Sequence, residues 1–206
     1  MAGPAWDDEV APAKVEENLA DLTVSIVSAA SVSREAPTAD LVLGWHRDML
    51  EGVAIPDDAY RGAFRGSAHP ALVDYEVKVG SLPTTRAADV LAEVDRLISE
   101  LQDRVLALDE LDKQGDPNIL TPAFVEAVLE TAAWSHGEWV RIHPFVNCNG
   151  RTARMWVLWL CGRYGLPQLL RLRPRPDMGY SPASLLSMTG DHSLFRQYLL
   201  VRYNAS

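Results

Sequence analysis

The chain has 206 residues, 48% of them apolar and 23% charged, enough for one substantial hydrophobic core; a disordered tail protein and a miniature disulfide scaffold are both excluded. With 19 Lys and Arg against 28 Asp and Glu the formal net charge is -9, so a broad electrostatic grip on nucleic acid or anionic membrane is not expected and any anion site must be local. Cys148 and Cys161 are too few for a disulfide framework, Met155 to Cys161 falls far short of the ~20 apolar residues a bilayer span needs, and acidic Asp7 to Glu9 do not open a signal peptide; a cytoplasmic protein is expected.

In chain order, Leu19, Leu22, Ile26 and Val27 make a helical stripe within Val15 to Ser31, which meets a Ser/Pro/Thr-rich boundary from Ser31 to Thr38. Asp40 is placed to cap a second helix through Met49, stopped by Gly52 and Pro56. Val73, Tyr75, Val77 and Val79 alternate with polar residues between Pro70 and Pro83, a strand expected to pair with the Tyr60 to Arg65 region and to leave an edge open to a peptide. Three- and four-residue spacing from Val90 to Leu108 predicts a long amphipathic helix over Thr85 to Leu111. Thr121-Pro122 opens another helix, which must end near Ile142 because His143 precedes a proline. Arg151 to Tyr164 is apolar on nearly every side beyond its first turn, as in a central buried helix, and Ser181-Pro182 starts a last segment interrupted near Gly190. The fold class is therefore mainly α with one short extended region.

The chemistry concentrates in His143 to Arg154, HPFVNCNGRTAR. A loop feeding the start of a buried helix points unpaired N–H groups at one spot, where the dipole adds about half a positive charge. Arg151 and Arg154 share a face of that first turn, where their charge opposes the dipole unless an anion such as a phosphate chain sits between them. Gly150 allows close backbone approach, Asn149 tolerates left-handed geometry, and His143 is the natural proton acceptor. Taken singly, each of these is an ordinary turn or solvated-face residue; the combination points to a site. His46, His69, His136, His143 and His192 show no metal-ligand spacing.

This segment resembles the Fic family signature His-Pro-Phe-x-(Asp/Glu)-Gly-Asn-Gly-Arg-x-x-Arg, matching at His143, Pro144, Phe145, Asn149, Gly150, Arg151 and Arg154. The resemblance divides the chain into an N-terminal helical extension, 1–38, and a Fic core domain, 39–206, with a β-hairpin flap beside the active site. It implies transfer of a nucleoside monophosphate, usually AMP from ATP, to a Ser, Thr or Tyr hydroxyl of a target protein. His143 would take the hydroxyl proton. Cys148 and Asn149, with Gly150, Arg151 and Arg154, would hold the nucleotide phosphates. Residue 147 would ligate Mg2+ or Mn2+, and the flap around Val77, Lys78 and Val79 would align the target backbone.

Two departures fall inside the motif. Asn147 replaces the acid, which lowers metal affinity, and Cys148 replaces a glycine, which strains the loop if its φ is positive. Three readings stay open: a weakened AMP transferase, a transferase of a different nucleotide or phosphate-containing group, and a catalytically silent nucleotide binder. Retention of Gly150, Arg151 and Arg154 favours a triphosphate donor held in the usual direction. Ser31 to Glu35 fits most of the family's inhibitory segment, in which Glu35 would pair with the second motif arginine. The sequence leaves the target protein and the oligomeric state open.

Overall fold

From Thr152 to Arg163 every residue is buried, and the other helices pack around this stretch. The computed structural model describes residues 13–115, 119–176 and 179–206; Asp7 to Glu9 lie outside them. Along the described residues run α1 (Ala13–Val32), α2 (Ala39–Met49), a hairpin of β1 (Lys78–Val79) and β2 (Leu82–Pro83), α3 (Val90–Gln114), α4 (Pro122–Ile142), α5 (Asn149–Arg163), α6 (Tyr180–Ser187) and α7 (Ser193–Tyr203). The mainly α architecture with one small antiparallel hairpin is as expected. No described helix is long and apolar enough to cross a membrane.

Local chemistry sets the boundaries. Thr121 Oγ1 accepts from Phe124 N at 3.3 Å, Pro122 follows it, and α4 ends at Ile142, one residue before His143-Pro144. α6 and α7 are separated around Gly190, whose φ of 91° suits only glycine. The cap of α2 is Thr38 rather than Asp40: Thr38 Oγ1 accepts from Leu41 N at 3.2 Å, and Asp40 instead sits in the first turn, where its charge favours the dipole. α3 begins at Val90, not Thr85. The residues before it are drawn across to α4, where Thr85 N donates to Arg141 O at 3.3 Å.

The extended region departs furthest from expectation. The ladder is two residues per strand, Lys78 opposite Pro83 and Val79 opposite Leu82, and Tyr60 to Arg65 takes no part in it. The physical reason lies in the preceding turns. Leu72 N and Val73 N both donate to His69 O, Gly66 N donates to Leu72 O at 2.7 Å, and the Tyr75 carbonyl goes to Arg65 Nη1 at 3.2 Å. These bonds, with Tyr75 N donating to Leu72 O, commit most of the backbone groups of residues 72–75 to turns and to Arg65 rather than to a partner strand.

Helix α1 lies along α5. Leu19, Leu22 and Ile26 are buried there, and a Cβ on Gly162 would come within 3.2 Å of Val27 Cα, so glycine sets the close approach.

Candidate active site

Pro144 ends α4 and bends the chain so sharply that His143 adopts the left-handed conformation, φ 54° and ψ 56°. The ring is fixed from within: Nδ1 lies 2.8 Å from the Val140 carbonyl oxygen. A carbonyl can only accept, so Nδ1 carries the hydrogen, and Nε2 is the nitrogen that bears the lone pair whenever the ring is neutral. The main chain is fixed from outside by Arg65, whose side chain is fully buried. Its Nε donates to His143 O at 2.6 Å, and Nη2 donates to the carbonyls of Ile142 and Thr85 at 2.8 and 2.5 Å and to Thr84 Oγ1 at 3.0 Å. One guanidinium thus ties the base of the hairpin to the end of α4. Burial pushes its pKa down, opposed by Glu76 at 3.7 Å.

Behind the loop, Phe145 is buried and stacks on His46 with centroids 3.8 Å apart. Burial lowers the His46 pKa to about 3, so the ring is neutral, and Nδ1 accepts from Gly62 N at 3.0 Å. Asn149 staples the loop closed: Oδ1 accepts from Phe145 N and Nδ2 donates to Phe145 O, both at 2.8 Å. Its side chain is therefore committed to the loop, leaving its main-chain N–H, at the head of α5, as what it can offer a phosphate. Asn149 is itself helical. The left-handed residue is Cys148, φ 64°, which stands where the family signature has glycine, so the strain anticipated for a side chain at this position falls here.

Arg151 and Arg154 differ in surroundings. Arg151 Nη1 donates to Cys148 Sγ at 3.1 Å. Arg154 is buried, with Nη2 donating to Leu172 O at 2.8 Å and Nη1 to Tyr180 OH at 3.2 Å. Tyr180 OH is in turn 2.7 Å from His136 Nε2. The hydroxyl thus joins the guanidinium to the His136 ring, which burial keeps neutral with a pKa well below its usual value. A Cβ on Gly150 would sit 3.6 Å from Arg154 Nη1, so the absent side chain keeps the space before that guanidinium clear.

These groups surround one cavity of about 650 Å³. His143, Arg151 and Arg154 line it together with Asn147, Cys148, Asn149 and Gly150, and Val77 to Val79 of the hairpin region form another wall. The sequence-derived site residues thus meet in one place, with one exception. Glu35 is exposed, and its carbonyl accepts from Arg163 Nη1 at 3.1 Å. Arg163 lies nine residues beyond Arg154 on α5, about 13 Å along the axis. Sequence reasoning missed Arg65, Tyr180 and Arg175, the last lining the same cavity.

A family model described as the Fic/DOC family matches residues 36–161. The chain belongs to the Fic/DOC family. Among Fic/DOC relatives, it is 33% identical over 113 residues to a protein adenylyltransferase Fic of Nematostella vectensis, covering 54% of this chain and 23% of that protein. It is 43% identical over 61 residues to a uridine 5'-monophosphate transferase of Xanthomonas campestris, covering 28% of this chain and 10% of that one. The matched segments thus span under a quarter of either relative. The Fic/DOC fold is shared with Fic-1 (residues 134–508) from C. elegans, TM-score 0.64 at 22% identity over 100% of this chain and 52% of the other. A Fic domain containing signaling protein from Bacteroides thetaiotaomicron superposes with TM-score 0.57 at 17% identity, over 93% of this chain and 71% of that one.

Proposed function

We propose that this Fic/DOC protein transfers a nucleoside monophosphate from a nucleoside triphosphate to a Ser, Thr or Tyr hydroxyl of a target protein. The observation that carries the reading is the meeting of His143, with its lone pair on Nε2, and two arginines on one cavity at the head of a buried helix. Its two named relatives, an adenylyltransferase and a uridine 5'-monophosphate transferase, support AMP and UMP as the groups to test first.

In this mechanism the α-phosphate lies against the main-chain N–H groups at the start of α5, which need no reorganisation to meet developing negative charge. His143 Nε2 accepts the proton of the target hydroxyl as its oxygen bonds to the α-phosphorus. The bond from the α-phosphorus to the bridging oxygen breaks, and pyrophosphate leaves with its charge facing Arg151 and Arg154. The hairpin holds the target main chain beside the cavity, supported by Val77 to Val79 lining it.

The test is label transfer from α-labelled ATP and, separately, UTP to protein in a lysate, with and without added Mg2+. His143→Ala abolishes the label and leaves nucleotide binding within about threefold, as expected when a proton acceptor alone is removed. Labelling that persists in His143→Ala rejects the mechanism. Nucleotide binding with no labelling by the wild-type chain identifies a silent binder.

A further inference from the structure

The family resemblance brings with it a divalent cation ligated by an acid at position 147, and this chain's own residues do not fit that ion. Asn147 Oδ1 accepts the Cys148 N–H at 2.5 Å. Only the oxygen can accept there, so the hydrogen bond itself fixes the orientation of the amide. The oxygen that could have met a cation is turned to the backbone. What remains is Nδ2, buried and without a hydrogen-bond partner, on a residue that lines the cavity and is only 9% exposed. An amide N–H attracts an oxyanion and repels a metal ion.

The charges around it agree. Among the described residues lining the cavity there is no Asp or Glu, whereas Lys78, Arg151, Arg154 and Arg175 all line it and none has a carboxylate within ion-pair distance among the described residues. This is a cationic pocket in a chain of net charge -9. Nor does any group of three or more His, Cys, Asp and Glu among the described residues come together to hold a metal. Each unneutralised guanidinium both binds phosphate oxygens and repels a divalent ion brought to the same oxygens.

Resting on the nucleotide reading above, we propose that this pocket binds a polyphosphate chain as the metal-free anion. Arg151, Arg154 and Arg175 supply the positive charge that a divalent ion supplies elsewhere, and Asn147 Nδ2 donates to a phosphate oxygen. Arg175 comes from the α5–α6 connection, outside the signature, and is exposed at the rim, where it can fold onto the end of the chain.

The test is calorimetric titration of the intact protein with ATP and with inorganic tripolyphosphate, each in EDTA and in excess Mg2+. Binding in EDTA at least as tight as in Mg2+ is expected, for either probe. Arg175→Ala, an exposed position, weakens binding in EDTA about tenfold, the loss of one charge-assisted contact. Asn147→Asp weakens binding in EDTA by a similar factor and makes Mg2+ favourable. ATP binding that requires Mg2+ in the wild type overturns the proposal and leaves the nucleotide reading standing. Failure of both probes in both buffers overturns the two together, and tripolyphosphate binding in EDTA without ATP binding supports the anion site while removing the nucleoside.

Discussion

Arg65 Nε donates to the carbonyl of His143 at 2.6 Å, across 78 positions of sequence. The same guanidinium holds the carbonyl before it and the residues at the base of the hairpin, so the position of the candidate proton acceptor and that of the hairpin are set by one buried cation. Arg65→Ala leaves four carbonyls without their donor and costs about 3 kcal/mol or more, read from the denaturant midpoint. Arg65→Lys keeps the charge but cannot fork. Its expected signature is a fall in kcat for label transfer with the KM for nucleotide nearly unchanged, because the imidazole shifts while the phosphate groups stay. Equal effects on kcat and on nucleotide binding would count against it.

Tyr180→Phe removes the hydroxyl between Arg154 and His136. His136 Nε2 then lies buried without its hydrogen-bond partner, at a cost of about 1–3 kcal/mol. Arg154 keeps its bond to Leu172 O and its place 5.5 Å from the centroid of the ring at position 180 but loses the hydrogen bond that aligns Nη1, and ATP affinity drops severalfold. An unchanged dissociation constant with the lowered stability would show that the tyrosine serves the core alone.

Gly137→Ala places a methyl group 2.0 Å from Ser187 Oγ and 2.3 Å from His192 Nδ1, which are themselves hydrogen-bonded at 2.6 Å. The clash pushes α6 away from α4 and costs about 2 kcal/mol in thermal unfolding, within the range for overpacked cores. Because α6 begins with Tyr180, the displacement also weakens nucleotide binding.

Acidification destabilises the protein before its carboxylates titrate. Burial depresses the pKa of His46, to about 3, and of His136 and His192. Between the unfolded value near 6.5 and the folded one, the unfolded chain binds the extra proton. Stability is therefore fully present above about pH 7 and falls on going down in pH, by up to about 1.4 kcal/mol per unit for each of the fully buried His46 and His136. Restricting the melts to pH 5 and above keeps out Glu93, which the Arg141 hydrogen bond holds below the usual carboxylate range. His46→Asn shallows the slope by one proton; an unaltered slope would show that His46 is not the group protonated.

The limits of α4 and the loop that follows it were readable in the sequence because their causes are local: Thr121 caps its own helix, Pro144 ends it, and HPFVNCNGRTAR carries its geometry with it. The hairpin was not, since the alternation at Val73 to Val79 has two meanings. Leu72 rather than Val73 turns into the core, while Val73 is 40% exposed, and turns consume the backbone that the alternation suggested for a strand. Arg65 was invisible for a related reason. An arginine between Phe64 and Gly66 looks solvated until the fold converges four carbonyls on it, and those carbonyls lie 10 to 78 residues away. Glu35 shows the reverse failure. A short local pattern matched, but the fold carries the segment to the wrong end of α5.

Arg163 grips that end. It donates to the carbonyls of Ser33, Arg34 and Glu35 and is paired with Asp109 at 2.7 Å, all from a side chain 1% exposed. A truncation that begins at residue 36, where the family match begins, would take three carbonyl acceptors from this cation, leaving it Asp109, and strip the apolar cover from Gly162. Such a fragment would lack a wall of its own interior: the boundary of the recognisable pattern is not the boundary of what must fold.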